Sequence, residues 1–349
     1  MWRLTLLIPF VFLTPIHAGE DSLPKVKVNS IQRIPHNGEH NAFTDLCRYN
    51  DQFYLTFRSC PDGHMVHPTA SILIMTSKDG NIWKQVHRFQ VSKRDTRDPH
   101  FLQFKGKLFV VTGTWYCGDR SPTAAEYDLN KHLGYAVWTA DGKKWHGPKM
   151  LEGTYGHYIW RAAAYGDKAY LCGRRLREFA QASRRDRELI ESAMLESDDG
   201  LIWRKAALFQ EHHGNETAFL FEKDGSVVAV GRLEANNAQL CRSQPPYEKW
   251  VRKDLKEYVG GPLLVKWGDH YLVGGRKRTA KGNKTVLRWL RNDKLVPFLE
   301  LPSAGDNSYP GFIQLSPTKA LLSYYSSHEK NKEGKTITAI YIAELEISK

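Results

Sequence analysis

The chain has 349 residues, of which 41% are hydrophobic, enough for one large β domain or two ordinary domains with a sizeable core. Its formal net charge of +12 at pH 7 suits an anionic partner such as nucleic acid, anionic lipid or an acidic glycan. The chain has no basic low-complexity tail, and its most basic stretch, residues 174–187, is interrupted by Glu178 and Asp186. These features argue against nucleic acid as the partner.

The first 18 residues have the pattern of a secretory signal peptide. Arg3 precedes an apolar run at residues 4–12, and Ala18 ends a plausible cleavage site. The run is too short to span a bilayer, and no later segment is long and apolar enough to do so. We therefore expect an exported protein, secreted or periplasmic, that is not inserted in a membrane and is monomeric.

Three seven-residue stretches share the pattern S/T-x-D-G-x-x-W. They begin at Ser77, Thr139 and Ser197, and each follows a run of residues typical of a strand. Side-chain oxygens of Ser, Thr and Asp accept hydrogen bonds from nearby backbone N–H groups, and Gly adopts conformations that other residues avoid. The Trp buries a large apolar ring. The pattern predicts hairpin turns that have no catalytic role of their own.

These turns recur with a period of roughly 45–60 residues, which is the length of a propeller blade. The first three units are predicted to contain strands at residues 41–47, 53–58, 72–76, 99–104, 107–112, 134–139, 159–164, 169–174 and 192–196. A helical insertion is expected at residues 177–190.

Three further units keep the strand order but lose the clean turn pattern. Their strands are predicted at residues 216–221, 226–232, 238–241, 262–267, 271–276, 285–290, 311–315, 320–325 and 336–343. Residues 243–250 read as a degenerate turn that keeps Ser243 and Trp250. Six units of about four strands each predict an all-β, six-bladed β-propeller, with residues 19–349 as a single domain.

The chain contains five cysteines, and an odd number leaves at least one thiol unpaired within the chain. They lack the spacing of metal ligands, so we interpret most of them as small buried apolar residues. One disulfide is compatible with the count. Cys47 and Cys60 flank a predicted hairpin and are the first candidates for it.

Positive charges recur where the blades are expected to meet the central axis. The second strands of four units end in Arg58, Arg174, Arg232 and Arg276. The first strands begin near His40 or Asn41, Arg97 and Asp98, Trp160 and Arg161, Asn215 and Glu216, and Ser308 and Tyr309. A single arginine at a strand end is usually structural, because its stem covers apolar surface. Four at equivalent positions repel one another unless an anion lies between them, so they predict an anionic ligand on the axis.

The turns and two of the blades resemble those of sialidases. The turns are similar to the Asp-boxes of that family. Residues 215–232 resemble the stretch with the activating Glu and an arginine of the substrate-binding triad, here Glu216 and Arg232. Residues 308–315, followed by 322–325, resemble the blade with the nucleophilic Tyr, here Tyr309. The resemblance covers nearly all of the mature chain and is closest to bacterial secreted sialidase-like proteins with motifs such as those at 97–99, 160–161 and 308–310.

The resemblance implies a retaining glycosidase that removes a terminal acidic sugar, either sialic acid or a related ulosonic acid. Tyr309 would be the nucleophile and Glu216 its base, because an anionic nucleophile would be repelled by the sugar's carboxylate. Asp62 is the first candidate for the general acid, with His64 and Asp98 as rivals. The side chains expected to bind substrate are Arg58, Arg97, Arg161, Arg232, Arg276 and His64. No metal and no cofactor are expected.

The sequence departs from the sialidase pattern at two arginines. An Arg-Ile-Pro motif occurs at Arg33, before the first predicted strand, and His40 or Asn41 stands where the first triad arginine is expected. The third triad position falls on Arg276 or Lys284. Two alternatives therefore stay open. The propeller could bind carbohydrate without catalysis, or it could be a glycosidase of another propeller family that uses carboxylates alone, with Asp98 among them.

Overall fold

The computed structural model describes residues 23–181 and 187–348. These residues form 24 strands in six four-stranded antiparallel sheets, together with four short 3-10 turns. The signal peptide predicted for residues 1–18 lies outside the described residues. The predicted six-bladed, all-β propeller is confirmed.

The first three blades each consist of four strands that are consecutive in the chain and pair in that order. Blade 1 contains β2 (His40–Tyr49), β3 (Gln52–Cys60), β4 (Ser71–Ser77) and β5 (Lys84–Phe89). Blade 2 contains β6 (Arg94–Phe104), β7 (Lys107–Tyr116), β8 (Leu133–Thr139) and β9 (His146–Met150). Blade 3 contains β10 (Tyr158–Tyr165), β11 (Lys168–Leu176), β12 (Ile190–Ser197) and β13 (Arg204–Gln210).

The last three blades follow the same plan, but the sixth is completed by the N-terminal strand. Blade 4 contains β14 (Gly214–Phe221), β15 (Val227–Leu233), β16 (Gln239–Ser243) and β17 (Trp250–Asp254). Blade 5 contains β18 (Gly260–Trp267), β19 (His270–Thr279), β20 (Gly282–Arg291) and β21 (Lys294–Leu301). Blade 6 contains β22 (Asn307–Gln314), β23 (Lys319–Lys330), β24 (Thr336–Ser348) and, at its outer edge, β1 (Lys25–Arg33). The early Arg33 therefore belongs to an outer strand, because β1 pairs with β24.

The first strands of neighbouring blades contact one another in a closed ring around the axis. Apolar side chains fill the spaces between adjacent sheets; between blades 1 and 2, for example, Ile72 and Ile74 pack with Leu108 and Val110. Because each sheet buries both faces against its neighbours, its strands contain runs of consecutive apolar residues. This packing fixes the six inner strands relative to one another, and they carry the candidate site.

The three S/T-x-D-G-x-x-W stretches form equivalent turns between the third and fourth strands of blades 1 to 3. In the first, Ser77 Oγ accepts from the Gly80 N–H at 3.0 Å, and Asp79 Oδ1 accepts from the N–H groups of Asn81 and Ile82 at 2.9 and 3.0 Å. The indole of Trp83 donates to the Gly80 carbonyl at 3.0 Å and is buried. The degenerate turn in blade 4 has a related bond, from the Trp250 indole to the Tyr247 carbonyl. The predicted structural role of the turns is confirmed.

The suggested disulfide between Cys47 and Cys60 is wrong, since all five cysteines are free thiols. Cys60 pairs with His40 and Cys47 with Tyr54, at opposite ends of the β2–β3 hairpin. Seven residues of strand separate the two positions by roughly 20 Å, whereas a disulfide needs Cα atoms within about 7 Å. The two cysteines lie on paired strands but at opposite ends of the hairpin, so their thiols are far apart.

The insertion expected to be helical contains no α-helix among its described residues. Residues Arg177–Phe179 and Arg187–Leu189 form single 3-10 turns, and residues 182–186 lie outside the described part of the chain. Between residues 23 and 348, leaving out 182–186, no helix is long and apolar enough to cross a membrane.

Candidate functional site

The first strand of every blade contains a β-bulge, a point where the register with the second strand skips two residues. The bulged pairs are Phe43 and Thr44, Asp98 and Pro99, Trp160 and Arg161, Asn215 and Glu216, Gly261 and Pro262, and Tyr309 and Pro310. Bulges bend a strand and redirect its side chains, and they are frequent beside functional sites. Here six of them form one ring around the axis, and the candidate site is built from that ring.

Tyr309 and Glu216 meet in this ring. The phenol of Tyr309 donates a hydrogen bond to Glu216 Oε1 at 2.7 Å. The other carboxylate oxygen accepts from Arg232 Nη1 at 2.9 Å and from the Gly261 N–H at 3.2 Å. Burial raises the pKa of Glu216, but Arg232 and the phenol outweigh it and leave the pKa below its usual value. Burial and the charge of Glu216 together raise the pKa of Tyr309 well above 10, so a neutral phenol lies against an ionised carboxylate.

The ring of Tyr309 is fixed by aromatic and cationic neighbours. Its centroid lies 5.0 Å from that of Phe43 and 5.2 Å from that of Trp160, both edge-on. The guanidinium of Arg276 lies 5.5 Å from the ring centroid. On the remaining side is Gly261, where a Cβ atom would come within 2.5 Å of the tyrosine ring. Only glycine leaves room at this bulge for the phenol to reach Glu216.

Asp98 is a second carboxyl group on the axis. It is 4% exposed, has a left-handed φ of 53°, and accepts a hydrogen bond from the Tyr158 hydroxyl. Burial, with a contribution from the negative charge of Glu216, raises the pKa of Asp98 to about 7, although Arg97 and Tyr158 oppose the shift. Two buried carboxyl groups with pKa values displaced in opposite directions suit acid and base roles in one reaction.

Arg58 and Arg97, both predicted to bind substrate, converge on a carboxylate of the protein itself. Arg58 donates to Asp95 at 3.0 and 2.9 Å, and Arg97 donates to it at 3.2 and 2.7 Å. Asp95 and Arg58 are fully buried. Burial raises the pKa of Asp95, but the two guanidinium groups outweigh it and hold the pKa below its usual range. Asp95 was missed by the sequence analysis, although it lies two residues before Arg97 in one strand, a spacing that favours the same face.

Arg276 binds a second carboxylate that the sequence analysis missed. Its guanidinium and the Tyr325 hydroxyl both donate to Asp306 Oδ1 at 2.9 Å. The other oxygen, Oδ2, lies 2.7 Å from His64 Nδ1 and 3.2 Å from His40 Nε2. The alternative third arginine position is Lys284, in the third strand of blade 5, and it donates instead to the Ser303 carbonyl.

The donor atoms of His40, His64 and Asp306 lie within 4.8 Å of one another, a spacing that would allow a metal ion to bind. Imidazole and carboxylate groups are ligands that zinc accepts. The positive charge of Arg276 on the same carboxylate opposes a divalent cation there. Hydrogen bonding among the three side chains accounts for their arrangement without an ion.

The other two predicted residues, Arg161 and Asp62, bind groups outside the Tyr309–Glu216 pair. Arg161 donates to Asp45 at 3.0 Å and to the carbonyls of Pro262 and Pro310, so it ties its own inner strand, β10, to β2, β18 and β22. Asp62 is exposed and accepts a hydrogen bond from Thr69 in its own loop at 2.5 Å. No hydrogen bond between described residues joins Asp62 to Tyr309 or Glu216.

His40 and Asn41, which stand where the first triad arginine is expected, bind other polar side chains of the protein. His40 contacts Asp306, and Asn41 donates to Asn37 at 2.9 Å. The residue of blade 1 that faces Tyr309 is Phe43, in the bulge. Phe43, in the bulge beyond His40 and Asn41, is therefore the blade 1 side chain that packs against the Tyr309 ring.

The architecture is similar to that of several solved structures. A protein of unknown function from Dyadobacter fermentans is 21% identical, with a TM-score of 0.75 over 93% of this chain and 100% of that chain. A Trypanosoma rangeli sialidase in complex with sialic acid is 12% identical, with a TM-score of 0.63 over 92% of this chain and 59% of that chain. Zg3597, a family 117 glycoside hydrolase from Zobellia galactanivorans, is 12% identical, with a TM-score of 0.51 over 92% and 90% of the two chains.

No protein-family model matches the chain, and no curated protein matches it either. At these identities the structural likeness establishes the propeller fold, which is shared by proteins of different activity. The present chain spans about 60% of the length of the trypanosomal sialidases.

Proposed function

We propose that this protein is a retaining glycosidase of sialidase type that removes a terminal acidic sugar. The observation that carries the proposal is the 2.7 Å hydrogen bond between Tyr309 and Glu216 on the propeller axis, with Arg232 bound to the same carboxylate. A phenol beside an ionised base is the activated nucleophile that a substrate with its own carboxylate requires. Arg58 and Arg97 share the single carboxylate of Asp95, and the one positive charge left over would attract such a substrate.

The reaction has two steps. Tyr309 Oη attacks the anomeric carbon, its proton passes to Glu216, and the bond to the leaving oxygen breaks as Asp98 protonates that oxygen. Water then attacks the same carbon, Asp98 takes the water's proton, and Glu216 returns its proton to the departing phenolate. Two displacements at one carbon retain the configuration of the sugar.

Asp98 is our choice of general acid over Asp62 and His64. A general acid must be protonated at the working pH, and a pKa of about 7 keeps much of Asp98 neutral there. Asp62 is exposed, and His64 is 44% exposed and bound to Asp306. Asp98 is buried in the ring of bulges that also holds Tyr309 and Glu216.

A second candidate function is hydrolysis by the two carboxyl groups alone, with Asp98 as acid and Glu216 as base or nucleophile. The opposite displacement of their pKa values favours it. In that case Tyr309 would position Glu216 through its hydrogen bond and would form no covalent bond to the sugar.

The proposal is tested with aryl α-glycosides of sialic acid, of related ulosonic acids and of neutral sugars. We expect turnover of at least one acidic glycoside and none of the neutral ones. Proton NMR of the first product formed should show the anomer with the substrate's configuration. Binding of acidic sugars without turnover of any glycoside would mean that the propeller is a lectin, and an inverted product would exclude the covalent tyrosine intermediate.

The pH dependence of kcat/KM should be bell-shaped with its alkaline midpoint near pH 7. Activity needs Glu216 ionised and Asp98 protonated, so it should fall below the pKa of Glu216, which is under 4.5, and above that of Asp98. In Asp98→Asn the alkaline limb should disappear. In that variant kcat/KM should fall by about 10²-fold or more for a substrate with a poor leaving group. It should fall much less for the p-nitrophenyl glycoside, because p-nitrophenol leaves without protonation. Equal losses with both leaving groups would contradict the role given to Asp98.

We also propose that the protein acts outside the cytoplasm on acidic glycans or glycoconjugates. The support is the leader-like sequence of residues 1–18 together with the basic charge of the chain.

A further inference from the structure

A cavity of about 340 Å³ opens beside Arg232, between the ends of strands from blades 2 to 5. Its polar lining consists of Arg174, Arg187, Arg232, Arg278, Asn215 and Glu234. We name it the arginine pocket. It adjoins the candidate catalytic pair, because Arg232 bonds Glu216 and Asn215 is the other residue of the same bulge.

The charges in the arginine pocket do not balance. Arg232 is paired with Glu216, which leaves three arginines around the single carboxylate of Glu234. That carboxylate lies 3.8 Å from Arg174 and 3.6 Å from Arg187, and it also accepts from the amide of Asn215 at 2.8 Å. Two positive charges remain in a partly enclosed space, where an anion would lower their mutual repulsion.

The guanidinium groups are held in place by aromatic faces. Arg174 lies 5.1 Å from the ring centroid of Tyr158, and Arg278 lies 4.0 Å from that of Tyr258. Each of these groups also donates one hydrogen bond to the protein, Arg174 to the Asn215 side chain and Arg278 to the Ala235 carbonyl, both at 3.0 Å. A guanidinium group carries five N–H donors, so each retains donors for a ligand. Arg174 Nε is buried and has no hydrogen-bond partner among the described residues. A buried N–H without a partner is costly, and an oxyanion in the pocket would satisfy it.

We propose that the arginine pocket is a subsite for an oxyanion, a carboxylate or a sulfate ester, on the sugar next to the one that is released. The position of that sugar rests on the proposed function, because it assumes that the released unit lies at Tyr309 and Glu216. The pocket makes the preferred substrate a glycan with at least two anionic groups, one at the cleaved residue and one on its neighbour.

Binding to the purified full-length protein tests this without any turnover. Isothermal titration uses inorganic sulfate, glucuronate and, as a neutral comparison, glucose. Arg278 is exposed at the end of its strand, so Arg278→Ala should fold normally and weaken oxyanion binding by about tenfold. Arg204→Ala, an exposed arginine on the outer strand of blade 3, removes the same charge elsewhere and should leave affinity unchanged.

Glu234→Gln provides the opposite test. It keeps an acceptor for Asn215 but removes the competing negative charge, so affinity for sulfate and glucuronate should rise by about tenfold. If these residues had only a structural role, Glu234→Gln would not raise the affinity for sulfate or glucuronate. A preference for sulfate or for glucuronate identifies which oxyanion the pocket takes. Affinities that are the same in wild type, Arg278→Ala and Glu234→Gln would overturn the subsite.

The outcomes separate the two proposals. If the affinities of the variants change as expected but no glycoside is hydrolysed, the subsite is supported and the glycosidase proposal is wrong. If an acidic glycoside is hydrolysed while the affinities are the same in all variants, the glycosidase proposal is supported and the subsite is wrong.

Discussion

Replacing Tyr309 with Phe should lower kcat on an acidic aryl glycoside by at least about 10³-fold, with little effect on folding. The substitution removes only the oxygen that would attack the anomeric carbon, and the ring keeps its contacts with Phe43, Trp160 and Arg276. Glu216→Gln should lower kcat by about 10²–10⁴-fold, because the amide cannot take the phenol's proton. Steady-state kinetics and a denaturant titration of each variant measure the two effects.

Tyr324→Phe is the matched control for the tyrosine variant. Tyr324 is the neighbour of Tyr325 in β23 but lies in the apolar cluster between blades 5 and 6, where its hydroxyl donates to the Pro302 carbonyl at 3.2 Å. Its loss should leave kcat unchanged. Turnover that survives in Tyr309→Phe but is lost in both Asp98→Asn and Glu216→Gln would replace the tyrosine mechanism with the carboxylate-only one.

Much of the fold could be predicted from sequence because its signals are local. Each blade contains apolar strand runs only a few residues apart, and the S/T-x-D-G-x-x-W turns depend on bonds within seven residues. The exception is β1. Most of its residues are exposed, and its partner β24 lies more than 300 residues away, so nothing nearby in sequence reveals that it completes blade 6.

The site could be predicted only in part, and the bulges explain why. Counting along the predicted strands places Glu216 and Tyr309 at the starts of first strands and Arg232 at the end of a second strand, and the resemblance to sialidases implies their roles. The structure brings the three together. A bulge adds a residue and reverses which side chains face the axis, so alternation no longer gives the right neighbour. That is how Phe43, which was not among the predicted site residues, comes to face Tyr309.

The carboxylates that neutralise the arginines were missed for a different reason. Arg58 and Asp95 belong to different blades, and their bond depends on how two sheets pack. The same holds for Arg276 of blade 5 and Asp306, which directly precedes β22 of blade 6. Sequence identifies the positive ring, but only the packed structure shows which of its members already have a protein anion as partner. Those that do, Arg58 and Arg97 above all, are better explained by stability than by substrate binding.

Asp95→Asn should therefore destabilise the propeller by about 3–5 kcal/mol. Asp95 accepts five hydrogen bonds, four from Arg58 and Arg97 and one from the His67 N–H. The amide has one acceptor oxygen and no charge, so two guanidinium groups stay buried without a counterion. Guanidinium chloride titration followed by tryptophan fluorescence measures the loss. The pKa of Asp95 is lower in the folded state than in the unfolded state. Its contribution to the free energy of unfolding is therefore complete above the unfolded-state pKa of about 3.9, and it is lost as the pH falls through the folded-state pKa.

Asp51→Asn is the surface counterpart of this substitution. Asp51 pairs with Arg48 at 3.2 Å, but its side chain is 95% exposed, so solvent screens the pair and the denaturation midpoint should not move. A loss in Asp95→Asn no larger than in Asp51→Asn would show that Arg58 and Arg97 do not depend on the buried carboxylate. They would then be free to bind the carboxylate of a substrate, as the sequence first indicated.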